Sequence, residues 1–85
     1  MRPDERWLSV LANQWLLTAV FNRTTSPEQP PRSMVLAREL RVMDGYQLAM
    51  IRWYLLQHRE VQAVWFEQRE TDLVLGIEFC FLKEN

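Results

Sequence analysis

DLVLGIEFCFL, residues 72 to 82, decides the fold class. Leu73, Leu75, Ile77, Phe79 and Phe81 alternate there with Asp72, Val74, Gly76, Glu78 and Cys80. Apolar residues at a period of two turn one face of a pleated strand toward a core. Upstream, VQAVWF at 61 to 66 is rich in strand-forming residues, and the polar Gln68, Arg69, Glu70 and Thr71 can turn the chain. A β-hairpin follows. Val61, Val64 and Trp65 also fit a helical spacing, so residues 61 to 66 stand open between a strand and an extension of the helix before them.

That helix is expected over residues 45 to 58. Asp44 is placed to cap it, and Gln47, three residues on, completes a capping-box pair. Leu48, Met50, Ile51, Trp53, Leu55 and Leu56 surround most of its girth, which marks a central core helix or one that also meets a partner. His58, the only histidine, falls at its negative dipole end. Before it, Ser33 suits the N-cap of a short helix over 34 to 42, with Leu36, Leu40 and Met43 on one side. Residues 22 to 32, NRTTSPEQPPR, hold three prolines and are expected to form a polar loop. A first helix is expected from 3 to 21, with Pro3, Asp4 and Glu5 suiting its positive end. Trp7, Leu8, Leu11, Trp15 and Ala19 share one side of it, and Val10, Leu17 and Phe21 make a second apolar strip. Burial on two sides is implied.

The expected fold class is therefore α+β: one domain over 1 to 85, three helices followed by a C-terminal antiparallel hairpin, in the order α-α-α-β-β. That order resembles a winged helix-turn-helix domain. The residues that carry the resemblance are Leu36-Ala37-Arg38-Glu39-Leu40, the break at Asp44-Gly45, Ile51 in the next helix and the hairpin after Glu60, about residues 33 to 82. It implies DNA contacts through Arg38, Arg41, Gln47, Arg52 and Arg59. The sequence departs from such domains where Arg41 takes the place of the usual turn glycine, and where an acidic hairpin takes the place of a basic wing. Winged helices that bind proteins tolerate both.

Composition narrows the function classes. Net charge is −1, which disfavours non-specific nucleic-acid binding. Residues 23 to 60 carry six Arg against four acidic residues, while 61 to 85 lean acidic. Cys80 is the only cysteine, so no disulfide forms within the chain, and a reducing, cytoplasmic setting is expected. Trp7 to Asn22, the longest uncharged stretch, is short of the roughly 20 apolar residues of a membrane span and is interrupted by Asn13 and Gln14. Asp4 and Glu5 argue against a signal peptide. With two glycines there is no phosphate loop, and one His with one Cys makes no zinc site. No catalytic set, metal site, cofactor or small-molecule substrate is expected.

The surplus is tryptophan, four in 85 residues, with nine Arg and one Lys. Interfaces favour Trp, Tyr and Arg as anchors. The sequence thus points to a non-enzymatic protein-interaction module, a homodimer or a small subunit of a larger complex. Trp7, Trp15, Trp53 and Tyr54 are its expected anchors, with Arg52 and Arg59 at the rim. The alternative is a small winged-helix transcription regulator.

Overall fold

The computed structural model describes residues 3–80, with side chains for 6–24 and 26–80. Phe81, and the side chains of Pro3, Asp4 and Glu5, lie outside the described residues.

Helix α1 (Pro3–Asn22) buries Leu8, Leu11, Ala12, Trp15, Leu16 and Ala19. These recur at spacings of three and four, so they form one side of the helix. The segment read as a loop is instead a hairpin. Strand β1 (Thr24–Ser26) runs antiparallel to β2 (Gln29–Leu36), with Thr24 opposite Arg32 and Ser26 opposite Gln29. Pro27 and Glu28 make the turn, and the Ser26 hydroxyl accepts from the Glu28 amide at 3.4 Å. Pro30 and Pro31 sit in β2 before its pairing with the next strand begins at Arg32, where a missing N–H is tolerated.

The expected helix over 34 to 42 is also corrected. Pro31, Ser33 and Val35 are buried while Arg32 and Leu36 are exposed, the alternation of a strand. Ser33 caps no helix. Its hydroxyl is buried in β2 and has no hydrogen-bond partner among the described residues. Only a 3-10 helix (Arg38–Val42) follows, anchored by Leu40.

Helix α2 (Gly45–Leu56) starts at the expected capping box. Asp44 Oδ1 accepts from the Gln47 amide at 2.8 Å, and Gln47 Oε1 accepts from the Asp44 amide at 3.0 Å. Strands β3 (Val61–Arg69) and β4 (Asp72–Phe79) form a hairpin closed by Glu70 and Thr71, with Arg69 opposite Asp72. Residues 61 to 66 are strand, with a register shift between Val61 and Ala63. Cys80 follows β4, exposed, its thiol donating to the Arg59 carbonyl at 3.4 Å.

The sheet order is β1-β2-β4-β3, all antiparallel. Both long helices lie side by side on one face, α1 against β2 and α2 against β3. The winged-helix architecture is thereby overturned: the described chain has two long helices, and strands both before and after the second. The physical reason lies in β4. A two-stranded hairpin would leave one edge of this apolar strand unpaired, and β2 fills that edge, with Ser33 opposite Ile77 and Val35 opposite Leu75. Leu75 and Ile77, fully buried under the helices, each contribute roughly 2 kcal/mol by burial.

Candidate protein-interaction face

The face of α1 turned away from the sheet carries Trp7, Val10, Gln14, Leu17 and Phe21, at successive spacings of three and four. This is a heptad-like seam on the side of the helix opposite its buried residues. Leu17 is 62% exposed and Phe21 86%, too much for residues that merely edge a core. No residue from 7 to 22 is charged. The hydroxyls on this helix are tied to its own backbone: Ser9 Oγ donates to the Arg6 carbonyl at 2.8 Å and Thr18 Oγ1 to that of Gln14 at 3.1 Å. They can be covered without losing a water partner.

On α2, Tyr46 and Trp53 also point away from the sheet, opposite the buried Ile51 and Leu55. Trp53 meets Tyr54 edge to face, ring centres 5.2 Å apart at 72°, which holds the indole against its own helix. The two helices thus offer one uncharged, aromatic-rich outer layer.

The opposite face of the sheet is different in kind. Met34 and Trp65 line a shallow concavity there of about 400 Å³ that reaches Thr24, Arg32 and Glu67, and Leu36 and Val74 line a second one of about 370 Å³ beside Met34. Its cations are already paired. Arg32 Nε bonds Glu78 at 3.0 Å, Arg69 pairs with Glu67, and Arg41 stands 3.9 Å from Asp72. Gln62 also donates to Glu78, at 3.2 Å. A neutralised rim of this sort offers no surplus charge to a phosphate or a carboxylate. Among the described residues, no three His, Cys, Asp or Glu side chains gather into a metal site, and no helix is long and apolar enough to cross a membrane.

No family model, curated protein or solved structure matches the chain.

Of the residues singled out from sequence, Trp7 and Trp53 lie on the outer helical layer, and Tyr54 is half-buried beside Trp53. Trp15 leaves the anchor set. It is 6% exposed and belongs to the core. Arg52 is exposed, but its Nε donates to the Val64 carbonyl at 3.1 Å; Arg59 is exposed in the turn before β3. The residues expected to touch DNA are each engaged locally, apart from Arg59 in its exposed turn. Gln47 is held in the capping box, Arg41 faces Asp72, Arg52 holds the edge of β3, and Arg38 belongs to the 3-10 helix. Val10, Leu17 and Phe21 were missed as surface residues. Their spacing was visible, but a second apolar strip on a helix reads equally well as core.

Proposed function

We propose that the protein is a non-enzymatic interaction module that forms a homodimer through the outer layer of α1 and α2. The observation that carries this is the uncharged seam of Trp7, Val10, Gln14, Leu17 and Phe21 on the solvent side of α1. The exposed parts of its four apolar members, with Tyr46 and Trp53, present roughly 700 Å² of side-chain surface. A standard interface buries ~800 Å² per partner.

The seam is self-complementary when reversed. An antiparallel pairing of two α1 helices centred on Gln14 sets Trp7 against the second copy's Phe21 and Val10 near its Leu17. The two Gln14 amides meet at the two-fold axis, where each can donate to and accept from the other. The last turn of α1 has no basic residue of its own, and this pairing brings the second copy's Arg6 to that negative dipole end. A membrane surface fits less well, because interfacial helices carry Lys and Arg beside their apolar face and residues 7 to 22 have neither.

Solution mass by light scattering over a range of concentrations tests the proposal. A dimer that persists in high salt is expected, since apolar burial is insensitive to screening. Leu17→Glu and Phe21→Glu should give monomers with unchanged circular dichroism, because both side chains are mostly exposed. A wild-type monomer at every concentration defeats the proposal.

A further inference from the structure

The edge of β3 is guarded by a side chain from the helix above it. Among the described strands β3 is outermost, with β4 as its one neighbour. Its partner at the turn fixes which backbone groups point where. Arg69 and Asp72 flank a two-residue loop and so form a hydrogen-bonded pair, and from there the alternation makes Glu67, Trp65 and Ala63 bond inward to β4. Val64, Phe66 and Gln68 therefore direct their N–H and C=O groups outward. Arg52 meets one of these, its Nε 3.1 Å from the Val64 carbonyl.

The two edges of the sheet are protected differently. β1 is three residues long with an irregular register, a poor template for another strand. β3 is nine residues long and has no proline or lysine, the residues that usually blunt an edge. Beyond its register shift near Val61 and the charges of Glu67 and Arg69, the obstruction seen there among the described residues is the Arg52 guanidinium.

We infer that Arg52 is a removable guard, and that the β3 edge it covers is a strand-addition site for β3 of a second copy. Antiparallel pairing centred on Phe66 would set Val64 opposite Gln68, Trp65 opposite Glu67 and Ala63 opposite Arg69. No two like charges face one another in that register, so the edge is compatible with its own copy once Arg52 withdraws. The outcome would be a continuous sheet across two molecules, distinct from the helix-face dimer and independent of it.

The test compares Arg52→Ala and Arg52→Met with wild type, by light scattering and by hydrogen exchange at the Phe66 and Gln68 amides. Both variants are also made in the Leu17→Glu background, which removes the helix face and isolates the sheet edge. The expected result is a doubling of mass over the parent with at least tenfold slower exchange at the two outward amides. Gln68→Pro, which removes one outward donor, should reverse the doubling. Methionine keeps an unbranched stem over β3, so a folded variant is available even if alanine unsettles the edge. Unchanged mass with unchanged exchange at Phe66 and Gln68 in folded Arg52→Met overturns the inference.

Discussion

Trp65 and Gly76 are direct cross-strand partners, and the indole of Trp65 lies across Gly76 so closely that a β-carbon there would collide with Cε2, Cζ2 and Nε1 of the ring. The glycine is buried in the central strand, and the tryptophan supplies the cover that a side chain at 76 would otherwise give. The two positions form one packing unit on the sheet face opposite the helices.

Gly76→Ala should therefore destabilise the fold by about 2 kcal/mol, since a rigid ring on the sheet must swing away to admit one methyl group. Trp65→Ala alone should cost about as much, through exposure of Gly76 and Val74. In the double variant the alanine at 76 no longer meets a ring. A coupling of more than 1 kcal/mol in urea denaturation is the expected signature, and additive costs would contradict the close approach.

Ser33 faces the core of β2 with its hydroxyl unpartnered among the described residues. Ser33→Ala removes a desolvated polar group without enlarging any side chain, so stability should rise by about 1 kcal/mol. A higher urea midpoint with an unchanged m-value would report it. A loss would mean that the hydroxyl finds a partner in solution.

Glu70 holds φ at 53°, the left-handed region, at the first position of the β3–β4 turn. Non-glycine residues pay roughly 1 kcal/mol or more there. Glu70→Gly should raise the melting temperature, Glu70→Asn should raise it less, and Glu70→Val should lower it. Thermal scans of the three variants give the order directly.

The capping box predicts a cost at the other end of the charge scale. Asp44→Ala deprives the Gln47 amide of its acceptor and should destabilise α2 by ~1 kcal/mol, while Asp44→Ser retains most of the cap. Denaturant midpoints of the two variants, compared side by side, separate a capping role from a simple charge effect.

What could be seen beforehand followed from strong local signals. Asp44 and Gln47 fix the start of α2 through contacts three residues apart, so the sequence spelled out that boundary. The alternation from Leu73 to Phe79 likewise needs no distant information. The segment 24 to 36 was illegible for the opposite reason. Pro27, Pro30 and Pro31 signal a loop by every local rule, yet Pro27 only turns a hairpin, and the residues just after Pro31 are drawn into the sheet by pairing with β4, more than 40 residues away: Arg32 reaches Glu78 across a separation of 46. Ser33 was misread because a serine before apolar residues resembles a helix cap, whereas its neighbours across the sheet, Ile77 among them, decide its place. The interaction seam was half legible. The period of Trp7, Val10, Leu17 and Phe21 is plain in the letters, but which of two apolar strips faces the sheet depends on where the sheet is.

β4 stands in the middle of the sheet yet follows every other described element in the chain. During synthesis the β1–β2 hairpin therefore emerges with nothing beside it, and two strands alone are barely stable in water. The helices emerge before the sheet beneath them is joined into one surface. Each waits for the same eight residues, Asp72–Phe79. The sheet therefore closes in one late step: until that strand arrives, the apolar faces of the earlier elements stand open to water.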